Sequence, residues 1–121
     1  MPRLNHVALA VRDPARSLHF YRDTIGVEGT VREESYGFVI TTAEGMTFTL
    51  FRGEPPDDHG EFHVGVCLPD GAAVRAKRQE LVDADVPEIE WWDEVGYVSL
   101  KVRDPDGYAV EIAWDEKYES A

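Results

Sequence analysis

The chain holds a single cysteine, so no internal disulfide can form, and a reducing cytoplasmic setting is the expectation. It has no apolar run near the roughly 20 residues that a membrane helix needs, and its N-terminal residues lack a signal-peptide pattern. Basic residues are scarce: 12 Lys and Arg stand against 24 Asp and Glu, a formal charge of −12. With no basic stripe to release counterions from phosphates, nucleic acid is excluded as a partner. The same acidity favours neutral or cationic small molecules over anionic ones, unless a local cation focuses the field. Linker-like composition is confined to RGEPPDDHGE, Arg52 to Glu61, which has two prolines and two glycines and almost nothing apolar.

What the chain does contain falls into two similar halves. Leu4 to Val11 alternates and reads as a strand, broken by Arg12-Asp13-Pro14. Asp13 is a natural N-cap with Pro14 at the first helical position. Leu18, Tyr21 and Ile25 then recur at helical spacing, and Gly26 stands where a C-cap belongs. Strands are expected at 28–33, 36–41 and 46–51, with a turn at Ala43-Glu44-Gly45. After the linker, 62–68 reads as a strand, Pro69-Asp70-Gly71 breaks it, and a helix is expected over 72–84. Strands near 87–92, 97–102 and 109–114 follow, the last two joined by Asp104-Pro105-Asp106-Gly107. The expected fold class is α+β, two βαβββ modules over about 4–52 and 62–115 within one domain of 121 residues.

The repeat gives meaning to three residues. His6 and His63 take the same place in the opening strand of each half, 57 residues apart, and Gly45 and Gly107 are 62 apart. Glu111 lies four residues past Gly107. Residues two apart on a strand share a face, so His6 lies with Ala8 and Ala10, His63 with Gly65 and Cys67, and Glu111 with Ala109 and Ala113. These are small-residue faces with room in front of the functional groups. A lone strand histidine is ordinarily a packing residue, but two at matched positions and a carboxylate at a third point to a metal site. A carboxylate on such a face needs a partner, which a divalent cation held by neutral imidazoles supplies. The fourth matched position, four residues past Gly45, is Thr49, a poor transition-metal ligand. The expected site is therefore the facial two-His-one-carboxylate set His6, His63 and Glu111, with open positions, suited to Fe, Mn, Ni or Zn.

The segments LNHVALAVRD, SLHFYRDTIGV, EFHVGV and DPDGYAVEI, taken together from Leu4 to about Asp115, resemble the vicinal oxygen chelate superfamily. That group comprises glyoxalase, bleomycin-resistance and extradiol-dioxygenase proteins. The resemblance implies a U-shaped mixed sheet of paired βαβββ modules around a metal-binding cavity, usually in a homodimer, and chelation of a substrate through neighbouring oxygens. His6, His63 and Glu111 match three ligand positions of the family; the fourth, a Glu in glyoxalase I, is Thr49 here. The resulting set is closer to extradiol dioxygenases or fosfomycin-resistance enzymes than to glyoxalase I. The serine-rich potassium loop of the fosfomycin-resistance enzymes is missing, replaced by WWDEVG from Trp91 to Gly96.

Strand parity puts Tyr97, Ser99 and Lys101 on one face as candidate catalytic residues. Lys101 would bind a substrate oxyanion, Ser99 would orient it and Tyr97 would act as general acid or base. Trp91, Trp92 and Tyr36 are candidates for an aromatic wall. His19 and His59 are expected to be exposed and Cys67 a small buried thiol. The expected function is a metal-dependent enzyme acting on a small oxygen-bearing substrate, with dioxygenase-like chemistry ahead of a lyase reaction. The alternative is an antibiotic-sequestering protein of the bleomycin-resistance type, or a fosfomycin-resistance-like transferase.

Overall fold

Alternation over the first apolar segment produces strand β1, His6–Val11, in a computed structural model that describes residues 1–118. Asp13 ends it and caps helix α1, Pro14–His19, its carboxylate accepting the Arg16 N–H at 3.3 Å. The helix widens into a π-helical turn over Phe20–Ile25, where the Gly26 N–H reaches the Tyr21 carbonyl at 3.0 Å. Spacing alone predicts one regular helix here. In the widened turn the consecutive side chains Phe20 and Tyr21 are both buried. Gly26 stops the helix in the left-handed region at φ 94°, a conformation that a Cβ disfavours.

Three strands complete the first module: β2 Thr30–Glu34, β3 Gly37–Thr41 and β4 Thr47–Arg52. They form a mixed sheet in the order β1-β4-β3-β2, with β1 parallel to β4. Phe48 and Leu50 lie on the face that α1 covers. There the Tyr21 ring meets Phe48 edge-on at 4.8 Å, an aromatic contact worth about 0.5–1.5 kcal/mol beyond area burial. His6, Ala8, Thr47 and Thr49 take the opposite face by the period of two.

The second module repeats this plan with β5 His63–Cys67, α2 Gly71–Asp83, β6 Glu88–Glu94, β7 Tyr97–Arg103 and β8 Ala109–Asp115. Its order is β5-β8-β7-β6, with β5 parallel to β8. Asp70 caps α2, accepting the Ala73 N–H at 2.8 Å. Val98, Leu100, Val102, Val110 and Ile112 are almost wholly buried on the helix face, under Val74 and Leu81 of α2. Burying each such side chain stabilises by about 1.5–3 kcal/mol. The compact units divide between Asp57 and Asp58, so each module carries its own core.

Candidate metal centre

The open face of the second sheet gathers polar side chains that alternate with this apolar core. Glu111 on β8 pairs with Gly65 on β5 and with Lys101 on β7. His63 pairs with Ala109, two residues before Glu111, and so lies diagonally across from the carboxylate on the same face. The His63 Nε2 stands 3.1 Å from Glu111 Oε2. The other imidazole nitrogen, Nδ1, lies 2.9 Å from the Glu61 carbonyl oxygen. A carbonyl oxygen can only accept, so Nδ1 carries a proton, and Nε2 turns toward the carboxylate. At 3.1 Å the nitrogen and the carboxylate oxygen are spaced either for a shared proton or for a metal ion that both ligate.

The carboxylate itself is held from the other side. Ser99, 1% exposed, donates its hydroxyl to Glu111 Oε1 at 2.8 Å, and Tyr97 donates to the same oxygen at 3.3 Å. Both donors thus crowd Oε1 and leave Oε2 facing His63. Lys101 lies on this face too, but its Nζ sits 3.7 Å from Glu90 Oε2 on β6. Glu90 is in turn fixed by the Trp92 Nε1–H, 2.7 Å from its Oε1. A Cβ built on Gly65 meets nothing within 4 Å, so the β5 side of Glu111 is open.

In the first module the ladder places Thr49 opposite Ala8, as Glu111 stands opposite Gly65. His6 pairs with Thr47 as His63 pairs with Ala109. The exposed His6 has its Nδ1 2.7 Å from Asn5 Oδ1, an amide oxygen that accepts. Both matched histidines therefore donate through Nδ1–H and keep Nε2 for another partner. Among the described residues, no three His, Cys, Asp or Glu side chains are gathered into a metal-holding group.

Cys67 is exposed, because β5 is an edge strand and Cys67 lies on its open face. His59 is half-buried against the Tyr108 ring at 4.5 Å, and among the described residues its Nδ1 has no hydrogen-bond partner. His19 is exposed, as expected, and pairs with Asp23 at 3.0 Å. Trp91 and Trp92 cannot form one wall, since adjacent strand residues take opposite faces. Trp92 is half-exposed on the open face, whereas Trp91 lies under the Arg78 guanidinium of α2 at 4.3 Å. Sequence reasoning missed Glu61, which contributes only a carbonyl, and Glu90, whose place opposite Lys101 depends on a register shift between Glu88 and Glu90.

The fold is that of the glyoxalase class, two βαβββ modules with two four-stranded mixed sheets. A model of the Glyoxalase/Bleomycin resistance protein/Dioxygenase superfamily matches residues 3–112, and the chain belongs to that superfamily, the vicinal oxygen chelate group. A Saccharomyces cerevisiae protein described as glyoxalase I is 24% identical over 140 aligned residues that cover 91% of this chain. The chain spans 42% of that relative's length. A possible glyoxalase from Bacillus cereus has the same fold at a TM-score of 0.76, with 20% identity and coverage of 91% of this chain and 96% of that one. A lactoylglutathione lyase from Agrobacterium tumefaciens superposes at 0.72, with 19% identity and 98% of both chains covered. The superfamily includes glyoxalase I lyases and dioxygenases; its members bind small-molecule substrates and typically use divalent metals. Among the described residues no helix is long and apolar enough to cross a membrane.

Proposed function

We propose that the chain is a divalent-metal-dependent enzyme acting on a small oxygen-bearing substrate, with His6, His63 and Glu111 as the ligands. The observation that carries this reading is the His63–Glu111 pair. Its ring proton is committed to a backbone carbonyl, as the far N–H of a ligating histidine usually is, and its free nitrogen faces a carboxylate oxygen at 3.1 Å. Adjacent donors about 2.1 Å from an ion lie roughly 3 Å apart, so the spacing fits a shared cation. His6 shares one part of this arrangement, its Nδ1 lying 2.7 Å from the Asn5 Oδ1. Neutral nitrogen and carboxylate donors suit Fe, Mn, Ni or Zn.

When bound, the ion supplies Lewis acidity to neighbouring oxygens of the substrate. The remaining work belongs to the chain. Ser99 and Tyr97 hold the Glu111 carboxylate in one orientation, and Tyr97, the more accessible of the two, is placed to exchange a proton with a substrate oxygen. Lys101, loosely paired at 3.7 Å, is the cation that would meet a substrate oxyanion. Dioxygenase-like chemistry is preferred to the glyoxalase I reaction because Thr49 holds the position in the first module that Glu111 holds in the second. Three protein ligands leave more open positions than four. A homodimer and a cytoplasmic setting are part of the proposal, the latter consistent with the exposed thiol of Cys67.

The test is metal content of protein purified without a metal-affinity tag, repeated on Glu111→Ala and His6→Ala. About one Fe, Mn, Ni or Zn per chain, lost in both variants, is the expected result. Metal still absent after incubation with each ion would end the enzyme reading in favour of ligand sequestration.

A further inference from the structure

We propose that Glu90 is a positioning residue for Glu111, acting by holding Lys101 off the carboxylate that faces it. The inference rests on the metal reading above and adds a residue that the ligand set does not contain.

Lys101 stands between two carboxylates in one row of the sheet. It pairs with Glu90 on β6 and with Glu111 on β8, each directly opposite in register. Directly opposed residues have Cβ atoms about 4.5–5.5 Å apart, so a lysine stem reaches either neighbour. The ammonium nevertheless pairs with Glu90, at 3.7 Å. The choice has a local cause on each side. Glu90 is fixed by the Trp92 Nε1–H on Oε1 and presents Oε2 to the lysine. Glu111 has Oε1 filled by Ser99 and Tyr97 and Oε2 turned to His63.

The partition matters because the Lys101 side chain is only 19% exposed, so its ammonium has little water to retreat into. Without an acceptor on β6, the next carboxylate is Glu111. An ammonium there would compete for the oxygen that faces His63 and would repel a divalent ion through like charge. Glu90→Gln isolates the effect: the amide keeps an oxygen for the Trp92 N–H but loses the charge that holds the lysine.

Two measurements on the full chain test this. The first is a crystal structure of metal-free Glu90→Gln, in which the Lys101 Nζ is expected within about 4 Å of a Glu111 oxygen. The second is Mn(II) titration by calorimetry of wild type, Glu90→Gln and Glu90→Gln/Lys101→Met. Glu90→Gln is expected to weaken Mn(II) binding about tenfold, the scale of loss when a group supporting a metal ligand is removed. Removing the lysine as well should restore affinity to within about twofold of wild type. A merely structural role for Glu90 would not be rescued by a second truncation. Unchanged affinity in Glu90→Gln, or a loss that Lys101→Met does not repair, overturns the inference while leaving the metal site intact. A wild type that binds no Mn(II), Fe(II), Co(II) or Zn(II) overturns the metal reading and with it the positioning role.

Discussion

At the scale of single residues, the two oxygens of Glu111 do different things, and the difference can be measured. Oε1 accepts Ser99 at 2.8 Å and Tyr97 at 3.3 Å, while Oε2 faces His63. Ser99→Ala removes the shorter and more buried of the two bonds and is expected to weaken Mn(II) binding on the order of tenfold. Tyr97→Phe should cost less, because a 3.3 Å contact is a weaker hydrogen bond. Calorimetric titration of both variants decides it: wild-type affinity in Ser99→Ala, or a larger loss in Tyr97→Phe, contradicts the account. Period-two parity was enough to put Tyr97, Ser99 and Lys101 on one face, because alternation is a local property of the strand. What each side chain touches was not legible. That depends on the register of β7 against β8 and on the shift beside Glu88, neither of which is written in the spacing of one strand.

Among elements, β3 lies against β4 at Gly37 with no room for a side chain. A Cβ there would collide with the Leu50 carbonyl oxygen, and the residue already sits at φ 152°. Gly45, in the β3–β4 turn, has φ 87° but open space around a new Cβ. Gly45→Ala therefore incurs backbone strain alone, about 1–3 kcal/mol, whereas Gly37→Ala must also push β3 away from β4. Urea unfolding should show Gly37→Ala as the more damaging, and equal losses would refute the steric argument. The turn glycines and the Asp13 N-cap were legible because each rests on a few adjacent residues. The π-helical turn was not, since apolar spacing does not distinguish a regular turn from a widened one.

The second module also ties α2 to β6 through two arginine–carboxylate forks, Arg75–Asp93 and Arg78–Glu88. Hydrogen bonds from these guanidinium groups hold the Asp93 and Glu88 carboxyls below their ordinary range. A carboxyl with a lowered folded-state pKa stabilises the fold above its unfolded value, and that contribution disappears as pH falls through the folded value. The Tm gap between wild type and Arg75→Gln/Arg78→Gln should thus narrow from about pH 7 toward about pH 3. The effect is small and salt-sensitive, because these side chains are largely exposed. A residual gap is expected at low pH, since Arg78 also covers the Trp91 ring. A gap that widens on acidification would contradict the assignment.

For the whole molecule, the repeat was the most legible feature, because insertion in loops leaves strand positions matched. The β1–β4 and β5–β8 ladders reproduce it residue for residue, with Thr49 standing opposite Ala8 as Glu111 stands opposite Gly65. The identity of the reaction was not legible, because one scaffold hosts many chemistries and the substrate is met by groups spread over several strands. Metal linkage gives a test at this scale. An ion that binds only the folded chain stabilises it by about 2.7 kcal/mol at a hundredfold excess over Kd, which for a chain of this size raises Tm by on the order of 10 °C. The formal charge of −12 adds a competing cause, since any divalent cation relieves self-repulsion without occupying a site. Glu111→Ala separates the two, because it changes the formal charge only from −12 to −11 while removing a ligand. Differential scanning calorimetry with Mn(II), and with Mg(II) at equal ionic strength, should show a large Mn(II)-selective rise in wild type. In Glu111→Ala only the small, unselective component should remain. A rise of equal size for both ions and both proteins would assign the stabilisation to charge screening, and the site would lose its thermodynamic support.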